Sequence, residues 1–228
     1  MIQALLSIFY PRICLSCNEL LLEKESLICS ECYHHLTFTS MHLNPHNALY
    51  QLFYGRIQLE HASSILYFNK SNVTHNIIHQ LKYKGAEEIG SLLGSLYDEQ
   101  LLVIQENAKF DLVVPVPLHP KKLKQRGYNQ LTTFGKEISN ILNIPFEEHL
   151  LLKQKETTTQ TIKKKDERTK MDNEIFLLSH PEKFVNKHIL LIDDVVTTGS
   201  TLENALNVLS KIEQVKLSII TMAMTDHS

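Results

Sequence analysis

The stretch LLIDDVVTTGST, residues 190–201, decides how the rest of the chain is read. Its apolar start reads as a buried strand ending on Asp193 and Asp194. Thr197, Thr198, Ser200 and Thr201 crowd around Gly199, and LENALNVLSKI (202–212) then sets Leu202, Ala205, Leu206 and Leu209 on one helical face. Two carboxylates and four hydroxyls therefore meet at one strand-to-helix corner.

Outward from this corner the same alternation recurs. SSILYF (63–68), FDLVVPVPL (110–118), FEEHLLLK (146–153), EIFLLS (174–179) and VKLSIITMAM (215–224) read as strands. Between them, THNIIHQLKYKG (74–85) places Ile77, Ile78 and Leu81 on one face. Ile89, Leu92, Leu93 and Leu96 form the next stripe after Gly85, and YNQLTTFGKEISNIL (128–142) aligns Leu131, Phe134, Ile138 and Ile141. Strands alternating with helices predict an α/β domain with a mainly parallel sheet flanked by helices. The near-continuous apolar runs LVVPV and HILLI are what strands covered on both faces require. Residues 37–60 lack a clear period and read as a connector. The polar segment 153–173 reads as a mobile loop. The expected division is 1–36, a small N-terminal zinc-binding module, then 37–60, then the α/β domain at 61–228.

The chain has 228 residues, 43% of them hydrophobic and 21% charged, enough for one sizeable core and a small appendage. The net charge of -2 argues against attraction of nucleic acid to the whole surface and leaves only a local basic patch for it. No apolar run approaches the roughly 18 residues of a membrane span. MIQALLSIFYPRIC has neither a basic n-region nor a small-residue cleavage site, so it reads as mature sequence and the cytoplasm is the expected compartment.

The four cysteines, Cys14, Cys17, Cys29 and Cys32, form C-x2-C, eleven residues, then C-x2-C. In a reducing compartment this spacing reads as one closed, structural Zn2+ site, because each tight turn aims two sulfurs at one metal. A disulfide pair or a redox C-x2-C is the alternative, and His34 or His35 could stand in as ligands.

The chemistry of the corner follows from its residue types. In open parallel sheets, ligands bind outside the carboxyl ends of the strands. The N–H groups opening the next helix, the hydroxyls and Gly199 suit a phosphate. Asp193 and Asp194 suit hydroxyl donors or a hydrated cation. A phosphate and a vicinal diol one sugar apart describe a ribose 5-phosphate. Other acidic-pair folds fit poorly: only 27 residues follow Thr201, too few for a receiver domain, and no Gly-Lys precedes the Ser or Thr as a Walker A loop needs.

LLIDDVVTTGST also resembles the signature of the type I phosphoribosyltransferases, which bind phosphoribosyl pyrophosphate (PRPP). The four-cysteine N-terminus, HQLKYKG (79–85), VPVPLHPKKLKQRGYNQ (114–130) and the corner, in that order, are similar to the ComF family of competence proteins, over nearly the whole chain. The resemblance implies a type I phosphoribosyltransferase fold with an N-terminal zinc-finger-like module. It further implies a cytoplasmic role in natural transformation, with PRPP, single-stranded DNA and the DNA-uptake machinery as partners and Mg2+ accompanying PRPP.

The resemblance also implies that Asp193, Asp194, Val195, Val196, Thr197, Thr198, Gly199, Ser200 and Thr201 bind PRPP, and that Lys82 and Arg126 join the two acids in any chemistry. Lys121, Lys122, Lys124 and Arg126 would neutralise pyrophosphate, although this loop is rich in proline where many salvage enzymes carry glycine. The same lysines also read as a solvated basic surface, and Lys82 to Gly85 as a helix C-cap. Asn129 and Gln130 either hydrogen-bond the ligand or cap the helix that begins there. In the loop 153–173, Gln160 and Arg168 match family positions, and Lys163, Lys164 and Lys165 could meet a DNA backbone. Tyr10, Tyr33, Phe38, Tyr83 and Tyr128 are candidate stacking residues. Three functions follow: a PRPP-binding protein of DNA uptake, a free-base transferase of nucleotide salvage, and a non-catalytic adaptor that senses PRPP.

Overall fold

The computed structural model describes residues 11–69, 72–153 and 175–226. In chain order the strands are β1 (His61–Phe68), β2 (Leu112–Pro115), β3 (Leu151–Lys153), β4 (Phe176–Leu178), β5 (His188–Val196) and β6 (Lys216–Thr225). The helices are α1 (Ser30–His34), α2 (Ala48–Gln51), α3 (Val73–Tyr83), α4 (Glu88–Ser95), α5 (Asp98–Ala108), α6 (Pro120–Arg126), α7 (Leu131–Leu142) and α8 (Ser200–Leu209).

Four parallel strands form the main sheet in the order β1-β6-β5-β2, the expected α/β architecture. β3 and β4 make a separate antiparallel pair. Seven consecutive residues of β5 are buried, which accounts for its unbroken apolar run. Helix α7 turns Leu131, Phe134, Ile138 and Leu142 inward. It lies hard against the sheet: a Cβ on Gly135 would come within 2.8 Å of Ile192 Cδ1.

Two features of the sheet create a crevice. First, β2 ends at Pro115, opposite Ile192, while β5 runs on through Asp193 to Val196, paired among the described residues with β6 alone. The strand thus passes the two acids instead of ending on them. Second, the chain leaves β2 outward, where Phe146 bridges Val113 in parallel, but leaves β5 the other way, towards β6. That reversal is a topological switch point, where side chains at strand ends face open space.

Three segments differ from the sequence reading. Helix α5 was not signalled: it buries Leu101 and Ile104, but Leu102 and Val103 face solvent and blur the period. The basic run after β2 is not a loop but α6, with Pro120 at its first turn and Gly127 in the left-handed region closing it. Residues 37–60 pack along β1. Tyr67 N donates to Thr37 O (2.8 Å), Asn47 Nδ2 donates to Ala62 O (2.7 Å), and Leu49 and Phe53 are fully buried. They cover a sheet edge that would otherwise offer unpaired backbone groups. The loop expected at 153–173, with Gln160, Lys163–Lys165 and Arg168, lies outside the described residues apart from Lys153, as does Tyr10.

Candidate functional site

Asp193 and Asp194 stand in the crevice, less than a tenth exposed. Each carboxylate accepts the N–H of the next residue: Asp193 Oδ1 from Asp194 N (2.8 Å) and Asp194 Oδ1 from Val195 N (2.5 Å). The other oxygen of Asp194 meets Lys82 Nζ at 2.8 Å and the Gln130 side-chain amide at 2.7 Å. Gln130 in turn accepts from Arg126, whose guanidinium lies 5.6 Å from the centre of the Tyr83 ring. A chain of contacts therefore runs from β5 through the start of α7 to the ends of α3 and α6. Asn129 has the other of its two expected fates, accepting Leu131 N (3.1 Å) at the start of α7.

The acids are not equivalent. Burial raises the pKa of Asp193, and the neighbouring Asp194 raises it further, to about 7. Near neutrality Asp193 is therefore part protonated and can both donate and accept. Lys153, half-buried on β3, has its own pKa lowered by burial and by the charge of Lys122, and its ammonium is attracted to Asp193. Nothing in the sequence singled Lys153 out, because its place depends on the β3–β4 pair.

Two hollows flank the acids. Lys82, Tyr83, Gly85, Lys122, Gln125, Arg126 and Tyr128 line an open pocket of about 220 Å3. Lys121 and Lys124 are exposed on α6 and do not line it. On the other side, Asp193, Val195, Val196, Thr197, Thr198, Gly199, Ser200 and Thr201 line a shallow cup at the N-terminus of α8. Gly199 has φ +76°, a conformation that opposes a side chain, and the Phe53 ring lies 3.1 Å from where its Cβ would stand. Arg56 braces the same loop by a two-oxygen ion pair with Glu203, at 2.8 and 2.7 Å. Both braces come from residues 37–60, where sequence alone gave no such signal. The cup suits an anion, since helix N–H groups and hydroxyls converge there.

The four cysteines are free thiols whose sulfurs all lie within 4.8 Å of one another. Cys17 Sγ and Cys29 Sγ are 3.7 Å apart. A disulfide needs about 2.05 Å, whereas four sulfurs at about 2.3 Å from one zinc stand roughly 3.8 Å apart. Cys29 N and Ser16 N point at Cys14 Sγ (3.3 and 3.4 Å), and Cys32 N at Cys29 Sγ (3.4 Å). Burial disfavours the Cys14 thiolate, but the N–H groups of Cys17, Cys29 and Ser16 outweigh it and bring the pKa down to about 7. Burial pushes Cys32 up. The donor set and spacing fit a zinc ion. His35 Nδ1 is turned instead to Glu31, so the sulfurs suffice without it.

Residues 132–227 match the phosphoribosyl transferase domain. The chain is 34% identical over 103 residues to Competence protein F of Haemophilus influenzae, covering 45% of each protein. It is 30% identical over 128 residues to DNA utilization protein YhgH of Escherichia coli, covering 55% of this chain and 56% of that protein. These matches span about half the length of those relatives. Competence protein ComFC of Bacillus subtilis is 26% identical over 204 residues, 81% of this chain and 78% of its own. Among solved structures, adenine phosphoribosyltransferase of Leishmania tarentolae has 12% identity and a TM-score of 0.39 over 74% of this chain and 94% of that one. No helix among the described residues is long and apolar enough to cross a membrane. The chain carries a phosphoribosyl transferase domain behind a four-cysteine cluster that could hold zinc, and it is a homologue of competence proteins F and ComFC.

Proposed function

We propose that this chain binds PRPP at the 193–201 corner and acts in the handling of imported DNA. The observation that carries the PRPP reading is the position of Asp193 and Asp194 between an anion cup and a cationic pocket. The cup would take the 5-phosphate, the acids the ribose hydroxyls, and Lys82, Lys122 and Arg126 the pyrophosphate. A cis-diol binding Asp194 takes the place of Lys82 on its outer oxygen, and this frees the lysine for the pyrophosphate. Asp193, part protonated near neutrality, can donate to or accept from one ribose hydroxyl while Asp194 accepts from another.

If transfer occurs, these residues bind and orient the sugar and stabilise departing pyrophosphate while a nitrogen nucleophile attacks C1. Mg2+ on the pyrophosphate supplies further charge neutralisation. The cysteine module would hold zinc as a structural ion. The DNA role is carried by the names of the homologues, and cytoplasmic location and uptake-machinery partners belong to the same proposal.

Calorimetric titration with PRPP and Mg2+, with and without a short single-stranded DNA, tests this. PRPP affinity that changes with DNA supports one pathway for both ligands. PRPP affinity indifferent to DNA, with pyrophosphate released on adding a free base, would move the function to nucleotide salvage.

A further inference from the structure

Helix α3 carries a row of rings that runs away from the pocket assigned to PRPP, with Tyr83 at the pocket's wall and His79 and His75 beyond it. His75, His79 and Tyr83 recur at four-residue spacing, so they stack along one face over two turns, roughly 12 Å. The His75 and His79 rings are 6.2 Å apart and close to parallel, at 29°, and His79 and Tyr83 are 4.9 Å apart. Phe68 extends the row at one end, 5.7 Å from His75, and the Arg126 guanidinium extends it at the other, 5.6 Å from Tyr83. His79 and Tyr83 are exposed, Tyr83 at 66%. His75 is half-buried and Phe68 packs against the core, so they anchor the row, whereas His79 and Tyr83 stand in water and core packing does not account for them.

The row runs directly into charge. Arg126 belongs to α6, which sets Lys121, Lys122, Lys124 and Arg126 within seven residues without an acid. Lys84 is exposed at the end of α3. Among the described residues, Glu87 and Glu88 lie beyond Gly85, close to Tyr128, and Asp194 is paired with Lys82. An aromatic row that joins a basic helix suits a polymer with flat faces and a repeating negative charge. The faces must be free to stack, which excludes a paired duplex.

We propose that the α3 row and α6 form a track for single-stranded nucleic acid. Bases lie against His75, His79 and Tyr83, and phosphates lie along Lys121 and Lys124, which do not line the PRPP pocket. The track ends at the 220 Å3 pocket beside Asp194, so the terminal nucleotide reaches the PRPP site. The proposal rests on the DNA-handling reading and assigns it a surface.

The test is fluorescence anisotropy with labelled oligo(dT), oligo(U) and a duplex of equal length, on the zinc-loaded full chain. The variants are His75→Ala/His79→Ala and Lys121→Ala/Lys124→Ala, with circular dichroism and PRPP titration as controls for folding. Loss of the two imidazoles should weaken oligo(dT) binding about tenfold or more and leave PRPP affinity unchanged. Loss of the two lysines should make the salt dependence shallower by roughly one log unit per log unit of salt. Stronger binding of oligo(dT) than oligo(U) assigns the track to DNA, and equal binding to single strands of either sugar. Wild-type affinity in the histidine variant, or duplex bound as tightly as single strand, overturns the track alone. Failure of the wild-type protein to bind any single strand overturns the DNA-handling reading with it.

Discussion

Lys82 Nζ lies 2.8 Å from Asp194 Oδ2, and this ion pair ties the last turn of α3 to the far end of β5. Both side chains are largely shielded, at 22% and 11% exposure, so water screens them weakly. The pair explains how a buried diacid is tolerated before a ligand arrives. It also predicts what each residue does when its partner is lost.

Lys82→Met leaves the Asp194 carboxylate in the crevice without its cation. The expected loss is about 1–3 kcal/mol of unfolding free energy, less than for a fully buried pair because Gln130 still donates to Asp194 and some water reaches it. Adding Asp194→Asn should recover most of that loss. Urea denaturation of the two single variants and the double variant gives the coupling directly, and strictly additive effects would contradict a functional pair.

Gly199 must stay a glycine. Its positive φ opposes a side chain, and so does the Phe53 ring, 3.1 Å from the point a Cβ would occupy. Gly199→Val should cost roughly 2 kcal/mol or more and distort the anion cup. Thermal unfolding and a phosphate titration followed by NMR should show both losses together. A stable variant that still binds phosphate would contradict the close packing of residues 37–60 on this loop.

Cys14→Ser should lower the zinc content and loosen the N-terminal module, since Cys14 Sγ accepts two backbone N–H groups at the centre of the cluster. Metal analysis and limited proteolysis check this. The module touches α3 through Asn76 Nδ2 and Ser16 O at 3.3 Å. Full zinc content in the variant would remove Cys14 from the ligand set.

Mild acidification acts on stability through two opposed sets of buried groups. Burial, with the nearby His42 and His188, holds His61 at about 4 in the folded chain against an ordinary value of 6.5, and His42 and His188 are also lowered by burial. For His61 the unfolded chain binds the extra proton between pH 6.5 and about 4, so its stabilising effect is complete above 6.5 and is lost as pH falls through that window. Asp193 acts in the opposite sense. With its folded pKa raised to about 7, the folded chain binds the extra proton between about 7 and 3.8, which adds stability as pH falls. Relative to the wild type, urea midpoints at about pH 7, 6 and 5 should fall more steeply with acidity in Asp193→Asn, which removes the opposing carboxyl, and less steeply in His61→Gln; variant slopes equal to that of the wild type would contradict both assignments.

The alternation of apolar runs and helical stripes made the sheet legible, because strands buried on both faces leave an unbroken apolar signal. The corner was legible because its residues adjoin in sequence. So was the cysteine cluster, whose spacing carries its geometry. Lys153, Phe53 and Arg56 were not legible: Phe53 and Arg56 come from a segment without periodicity and Lys153 from the end of a short strand, and all three reach the site through contacts that form only after the sheet is assembled. Asn129 and Gln130 show the limit most closely. Two adjacent amides, equivalent in sequence, part ways because one caps α7 and the other spans the crevice to Asp194.

The measurement closest to the central claim is calorimetric titration of the zinc-loaded chain with PRPP and Mg2+, beside Asp194→Asn. The account predicts one site per chain in the wild type and affinity weakened at least about tenfold in a variant that melts within a few degrees of it. Equal PRPP affinity in the two proteins would contradict the assignment of the ribose to Asp194.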